Sequence, residues 1–190
     1  MAAKNPFKKH ASILLKSKNG FNGLTIERHE NTYYIADGFT MLKIESPFYE
    51  VYFKPVSELY ITLEDNYQIK YKVGYAPILG RGDSLKHCFE HFYPHENVSN
   101  VEFTSVIVSC ANGLVRIAKI HNKIAAFNND FYEAVLSYAR AFSPLTFISN
   151  GILNGAYFTC EDKIIEGLIM PIRPDNVINV LRNIMYANNI

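Results

Sequence analysis

The sequence predicts an α+β fold in which antiparallel sheets carry a few amphipathic helices on one face. Short runs of alternating apolar and polar residues recur along the chain, and turn pairs such as Asp37-Gly38 and Asn150-Gly151 separate them. Runs with helical spacing interrupt this pattern at only a few places. The 190 residues are enough for one sizeable core or two small ones. The pattern favours hairpins over alternating strand–helix–strand units.

The composition narrows the class of protein. The 19 basic and 18 acidic residues give a formal net charge of +1, which provides no argument for a polyanion partner across the whole surface. Three cysteines without framework spacing predict free thiols in a reducing, cytoplasmic compartment. No apolar run reaches the roughly 20 residues that span a bilayer, and the basic N-terminus lacks the long apolar segment of a signal peptide. We therefore expect a soluble intracellular protein without membrane partners.

The first half of the chain is predicted to be a helix followed by strands. Between Pro6 and Asn19, apolar residues recur at helical spacing and the polar positions are rich in lysine. Two interpretations of that basic face stay open, a solvated surface and a surface that contacts phosphate groups. Residues rich in Tyr, Val and Ile then form short runs typical of strands. Six strands are expected at 24–28, 31–37, 39–45, 50–55, 59–65 and 67–74, followed by a loop at 76–83.

A second helix is expected to begin at Ser84 and to end before Pro94. His87, His91 and His95 are spaced four residues apart, so on an unbroken helix they would share one face, as metal ligands do. Pro94 disfavours a helix that reaches His95. The sequence therefore predicts no metal site here, and it carries no motif for a cofactor.

The second half is predicted to contain three strands, a helix and three more strands. Strands are expected at 101–113, 114–122, 123–127, 144–149, 152–162 and 164–173. Asp130 and Glu133 have the spacing of a capping box at the start of the helix, and Ser143-Pro144 ends it. After Pro174, apolar residues at helical spacing predict a C-terminal amphipathic helix beginning at Asp175, which docks on its own chain or on a partner.

The residues around the second-half helix form a recognisable pattern. Phe127-Asn128 precede the helix, Phe131 and Val135 follow at fixed offsets, and residues 169–173 read Ile-Met-Pro-Ile-Arg. This part of the chain resembles the last domain of the bacterial sliding clamp, the beta subunit of DNA polymerase III. There a Phe-Asn pair precedes an amphipathic helix, and the chain ends near Val-Met-Pro-Met-Arg.

Two upstream segments extend the resemblance. Residues 35–42 keep the Asp-Gly of the family's Ala-Thr-Asp-Gly-His-Arg-Leu strand but not its Thr, His or Arg, and residues 92–95 are similar to a Phe-Pro-Asp-Tyr segment. The order of these points implies a DNA-clamp-like fold shortened to two small, pseudo-repeated domains. The expected parts are an N-terminal domain at 1–98, a C-terminal domain at 99–174 and a helical extension at 175–190. The extension has no counterpart in the family. The first domain has one predicted helix fewer than a clamp domain.

The resemblance implies a binding function and no catalysis. Sliding clamps are not enzymes; they encircle duplex DNA, and partners insert a short apolar peptide into a pocket between the middle and last domains. An adaptable apolar pocket suits such a peptide. The alternative is that Met41, Met170 and Ile172 are ordinary strand core. Carried over by motif, the pocket residues are Gly38, Phe39, Thr40, Met41, Met170, Pro171, Ile172 and Arg173.

DNA contact is expected on basic helix faces, through phosphates and without sequence specificity. On the helix that best matches the family, Arg140 is the basic residue, and Asp130 and Glu133 are acidic. The two carboxylates weaken the case for DNA contact through that helix. The full set of DNA-facing candidates is Lys8, Lys9, Lys16, Lys86 and Arg140.

Two functions follow as expectations. The first is a sliding-clamp-like replication accessory protein, phage- or plasmid-encoded, that binds double-stranded DNA weakly, binds a polymerase or other clamp-binding protein through a linear peptide, and forms a homo-oligomer. The second is a clamp-fold interaction module that does not encircle DNA and regulates host replication proteins. An enzyme is not expected, because the sequence has no phosphate-binding glycine loop, nucleophile elbow or paired carboxylates at fixed spacing.

Overall fold

The computed structural model describes residues 5–18, 20, 22–57, 62–110 and 113–172. The predicted C-terminal helix at 175–190 and Arg173 lie outside these residues. None of the helices in the described part of the chain is long and apolar enough to cross a membrane. The helices are α1 (Lys8–Lys18), α2 (Ser46–Phe48), a π-helical turn (Tyr49–Phe53), α3 (Lys54–Ser57), α4 (Leu85–Phe92) and α5 (Asn129–Ala139). The strands are β1 (Leu24–His29), β2 (Thr32–Ala36), β3 (Thr40–Glu45), β4 (Gln68–Tyr71), β5 (Ile78–Gly80), β6 (Ser99–Cys110), β7 (Gly113–Ile120), β8 (Lys123–Asn128), β9 (Leu145–Ser149), β10 (Ala156–Cys160) and β11 (Ile165–Ile169).

The eleven strands of the described chain join into one antiparallel sheet in the order β5-β4-β1-β2-β3-β11-β10-β9-β6-β7-β8. The two halves of the chain meet in the middle of this sheet, where β3 pairs with β11 and Thr40 lies opposite Ile169. The register of β6 on β7 shifts between Phe103 and Ile107. The predicted α+β class with antiparallel sheets is therefore confirmed. The predicted domain boundary at residue 98 stays a prediction.

Two long helices, α1 and α5, pack against each other on one face of the sheet. Phe7 and Tyr138 are fully buried between them, with ring centroids 5.0 Å apart. The main core lies beneath and includes Tyr33 of β2. The helix α4 covers the other face, where Phe89 packs on Tyr34. Consecutive residues of a strand point to opposite faces, so Tyr33 and Tyr34 pack under different helices. Helices therefore cover both sides of the sheet, and the expectation of helices on one face is wrong.

Residues 46–57 are helical, and the predicted strand at 50–55 is wrong. Pro47 stands at the start of the segment, where proline favours a helix. Tyr49 and Phe53 are four residues apart and fully buried, and their rings stack with centroids 5.6 Å apart. This spacing is helical, although the residue types favour strands. The first half therefore contains a helical segment at 46–57 that the sequence does not predict.

Three further details differ from the sequence prediction. Residues 78–80, expected in a loop, form the edge strand β5. The predicted strand at 59–65 lies partly outside the described residues, and 62–64 are not in a strand. Asn128, not Asp130, caps α5, because its side-chain oxygen accepts hydrogen bonds from two backbone N–H groups of the first turn. Glu133 instead forms an ion pair of 2.9 Å with Arg116.

Candidate peptide-binding surface and basic groove

The turn between β2 and β3 is built by a buried carboxylate. Asp37 is 2% exposed, and its Oδ1 accepts hydrogen bonds of 2.9 Å from the backbone N–H groups of Phe39 and Thr40. Gly38 has a φ of 86°, a conformation that suits glycine. The turn leaves the Phe39 ring 52% exposed. An aromatic side chain is thus held on the surface by a rigid turn.

The two predicted walls of the peptide pocket lie side by side. The backbone N–H of Met170 donates a hydrogen bond of 2.8 Å to the carbonyl oxygen of Phe39. One step along the strands, Met41 pairs with Leu168. A Cβ at Gly155 would lie 3.3 Å from the sulfur of Met170, so the glycine makes room for that side chain. We call this contact between residues 39–41 and 168–170 the junction. It joins segments that are far apart in the sequence.

The predicted pocket residues differ in their accessibility. Gly38 and Phe39 are exposed, Met41, Met170, Pro171 and Ile172 are half-buried, and Thr40 is buried. Met41 packs at the rim of the α4 cluster, and Ile172 packs with residues of β6 to β8. These two placements agree with the alternative of strand core for Met41 and Ile172. The surface that remains open to a partner is centred on Phe39 and Met170.

The end of β11 also reaches the far strand of the sheet. The backbone N–H of Ile172 donates a hydrogen bond of 2.8 Å to the carbonyl oxygen of Ala126. Pro171 forms an isolated bridge with Phe127. Residues 170–172 therefore lie between β3 and β8, and their backbone is held from both sides.

A buried chain of hydrogen bonds lies directly behind the turn. Ser17 donates to Oδ2 of Asp37 over 2.9 Å. Thr40 Oγ1 lies 3.3 Å from Nε2 of His10, whose Nδ1 lies 2.6 Å from the hydroxyl of Tyr138. Complete burial lowers the pKa of His10 to about 3 and raises the pKa of Tyr138 well above its ordinary value. The hydrogen-bond chain links α1, the turn and α5, and its buried members His10 and Tyr138 are neutral.

This hydrogen-bond chain is not among the features predicted from the sequence. A detectable signal was present, because His10 occupies an apolar position of α1, three residues after Phe7 and four before Leu14. Both neighbours are buried in the main core. A histidine at such a position needs buried hydrogen-bond partners. Its partners Thr40 and Tyr138 come from distant segments, and spacing alone does not identify them.

A groove between α1 and α5 collects four of the five DNA-facing candidates. Its volume is about 1230 Å³. Asp130 is the acidic residue in its lining, so four cations face one carboxylate. None of the three ion pairs in the described part of the chain involves these cations. The four candidates that line the groove are Lys8, Lys9, Lys16 and Arg140.

Lys86 lies apart from this groove. It belongs to α4, which covers the opposite face of the sheet, and its Nζ is 3.5 Å from Nε2 of His29. Lys86 therefore does not share a surface with the α1 lysines, and its contact with DNA stays a prediction. Phe39 also lines a smaller cavity of about 330 Å³ with Ile13 and Phe131, so the turn borders the helix side as well.

The three spaced histidines do not share one helix. α4 ends at Phe92 and its C-cap is Tyr93, as the position of Pro94 predicts, so His95 lies beyond the helix. Within the described ranges, no group of three His, Cys, Asp or Glu side chains is placed to hold a metal ion.

Comparison with known proteins gives similarity to solved structures only. No protein-family model and no curated protein matches the sequence. The chain is similar to the DNA polymerase III beta subunit of Borrelia burgdorferi in complex with a natural product, with 13% identity, a TM-score of 0.42 and coverage of 89% of this chain and 62% of the other. It is similar to the Pseudomonas aeruginosa DNA polymerase sliding clamp with ligand, with 11% identity, a TM-score of 0.38 and coverage of 88% and 64%.

A third similar structure is the DnaN sliding clamp of Bartonella birtlesii bound to griselimycin, with 11% identity, a TM-score of 0.37 and coverage of 86% of this chain and 65% of the other. The chain thus spans less than two thirds of the length of each of these three subunits.

Proposed function

We propose that this protein is a sliding-clamp-like accessory protein of DNA replication that binds short apolar peptides of its partners. The observation that carries the proposal is the hydrogen bond from Met170 to Phe39, which joins the two segments with the clamp-like motifs. An exposed aromatic ring beside a flexible thioether provides an adaptable apolar surface. Backbone hydrogen bonds hold both segments, so the surface is formed before a peptide binds.

The proposal includes weak, sequence-independent contact with duplex DNA. Four cations and one carboxylate in the groove between α1 and α5 leave three net positive charges on this surface, although the whole chain has a net charge of only +1. Such a local concentration of Lys and Arg suits the phosphate backbone. A homo-oligomer that surrounds the duplex is part of the same proposal, and its function is binding, without catalysis.

A second candidate function is a clamp-fold interaction module that does not encircle DNA. Asp130 within the groove favours it, because a carboxylate repels phosphate groups. The near-neutral net charge favours it as well. Peptide binding that is retained in the complete absence of DNA binding distinguishes this module from a clamp.

Peptide binding at the junction is tested with peptides selected on the wild-type protein from a displayed library of random short sequences. Phe39→Ser removes the exposed ring and should weaken the selected peptide at least tenfold, because a central aromatic anchor contributes about 2 kcal/mol or more. Fluorescence anisotropy of the labelled peptide measures the affinity. The matched control is Tyr75→Ser, whose ring is 65% exposed away from the junction and should leave the affinity unchanged.

Two results would contradict the proposal. One is a selection that yields no binding peptide, and the other is a peptide whose affinity is the same for Phe39→Ser and the wild type. Because Phe39 is half exposed, its replacement is expected to leave the fold intact, and a circular dichroism melt of both variants checks this.

A further inference from the structure

A small apolar cluster lies on the outer face of β6, β7 and β8, and we call it the outer patch. Its centre is fully buried: Val115 is 0% exposed, Ile117 3% and Ala126 3%. Partly buried residues surround this centre, and none of the members is charged. They are Val108, Cys110, Ile124 and Ile172.

α5 does not cover the outer patch. The alternate residues of the same strands, Ala118 and Ile120 of β7 and Phe127 of β8, belong to the main core. Because side chains alternate across a strand, the patch faces away from that core. Its described members come only from β6, β7, β8 and Ile172. Within the described part of the chain, no helix contributes to this cluster.

The neighbouring strands provide a comparison. On β10 and β11, Tyr157 and Leu168 are each 2% exposed on the face away from α1 and α5. These two residues are covered by α4, which lies within the described part of the chain. Phe89 of α4 packs on Tyr157 with ring centroids 6.1 Å apart. Val115 and Ile117 are buried to the same degree, so the outer patch requires a cover as well.

We propose that residues 175–190 of this chain pack on the outer patch as its cover. Ile172, where the described residues end, is itself a member of the patch, so the segment that follows starts at the correct place. Sixteen residues in a helix extend about 24 Å, which is longer than the strand stretch to be covered. The apolar positions of the segment with helical spacing are Val177, Val180, Leu181 and Ile184.

The patch and the segment are chemically matched. The patch presents aliphatic side chains and one thiol, and the segment presents Val, Leu and Ile on one side of its helical pattern with Asn179 on the other. This placement assigns the segment to the outer face and away from Phe39. It is independent of the proposed peptide function.

Cys110 at the rim of the patch serves as a native reporter in the full-length protein. In a Cys88→Ser background, Val180→Cys should form an intramolecular disulfide with Cys110 on mild oxidation, because both positions lie in one interface. Asn179→Cys, one residue away on the other side of the pattern, should react much more slowly. Peptide mapping under non-reducing conditions identifies the bond, and gel filtration distinguishes bonds within one chain from bonds between two chains.

A second readout needs no crosslink. Leu181→Asp should increase the rate at which Cys110 reacts with a thiol reagent, and Asn179→Asp should not. Cys160 is 1% exposed in the main core, so its continued protection shows that the fold is intact. Equal crosslinking at positions 179 and 180, crosslinks only between two chains, or unchanged reactivity of Cys110 in Leu181→Asp would each overturn the proposal.

Discussion

At the scale of single residues, the hydrogen-bond chain through His10 ties two helices to one turn. In the arrangement that satisfies each group, Tyr138 donates to Nδ1 of His10, Nε2 donates to Thr40, and Thr40 and Ser17 donate to Asp37. A buried network with every member satisfied specifies one packing arrangement, and a missing member leaves a costly orphan. The position of the turn therefore depends on the helix pair.

His10 should make the protein sensitive to acid. Its pKa is about 3 when folded and 6.5 when unfolded, so between these values the unfolded chain binds the extra proton and stability falls as pH falls. The loss from this group between pH 7 and pH 5 is about 2 kcal/mol. Urea unfolding at both pH values should show a smaller difference for His10→Gln than for the wild type. An equal difference in both proteins would refute this role.

At the scale of elements, β11 holds the sheet together because it pairs with β3 on one side and β10 on the other. Gly167 makes this close pairing possible. A Cβ there would lie 2.6 Å from the carbonyl oxygen of Met41 and 2.3 Å from the ring of Phe158. The first contact is with backbone, which cannot move aside without displacing β3.

Replacement of this glycine should separate the two halves of the sheet. We expect Gly167→Ala to lower the free energy of unfolding by about 1–3 kcal/mol through overpacking, as urea denaturation measures. Gly80→Ala is the matched control, since Gly80 also lies in a strand and its added Cβ meets no atom within 4 Å. A Gly167→Ala protein as stable as the Gly80→Ala control would show that the junction tolerates displacement.

The sequence predicts elements well where several local signals agree. The hairpin turn at Asp37-Gly38 and the helix before Pro94 were found because turn residues, proline and periodicity coincide. The helical segment 46–57 was missed because its Tyr, Val and Phe residues favour strands, and the buried pair that decides its conformation packs on distant residues. The α5 cap was assigned two residues late, since both Asn128 and Asp130 are good capping types.

The candidate site was predictable only in part, because motifs identify segments and not side-chain directions. The resemblance named both segments of the junction, and the β3–β11 pairing places them together. The resemblance did not distinguish the exposed Phe39 from the buried Thr40. Neighbouring residues of an extended segment point to opposite sides, and a motif does not show which side is buried. All five cations are candidates because they lie on predicted helices, but which of them share a groove depends on how α1, α4 and α5 pack on the sheet.

At the scale of the whole molecule, charge is distributed unevenly although the total is near zero. The groove cations belong to α1 and α5, which lie on one face of the sheet. The opposite face carries α4, which has one acidic residue, Glu90, beside Lys86 and two histidines, so its charge is mixed. Any binding of a polyanion should therefore depend on the groove and should decrease steeply with salt.

DNA binding by the groove is tested with the double variant Lys8→Gln/Lys9→Gln. Affinity for a labelled duplex should fall equally for two unrelated sequences, and the slope of log affinity against log salt should decrease by up to about 2, near 0.9 per lost phosphate contact. Anisotropy titrations over a range of KCl concentrations measure this slope. The control Lys119→Gln/Lys123→Gln removes two exposed lysines outside the groove, and the same loss in both variants would show that the groove is not the site.

The central pairing of β3 with β11 has a consequence for biosynthesis. Thr40 pairs with Ile169, which is 129 residues further along the chain. At about 5–20 residues per second, roughly 6 to 26 s pass on the ribosome before the partner of β3 exists. During this time the hairpin of β2 and β3 presents an open strand edge, and such an edge is a template for pairing with other chains. The first half of the nascent chain is therefore open to pairing with other chains until β11 emerges.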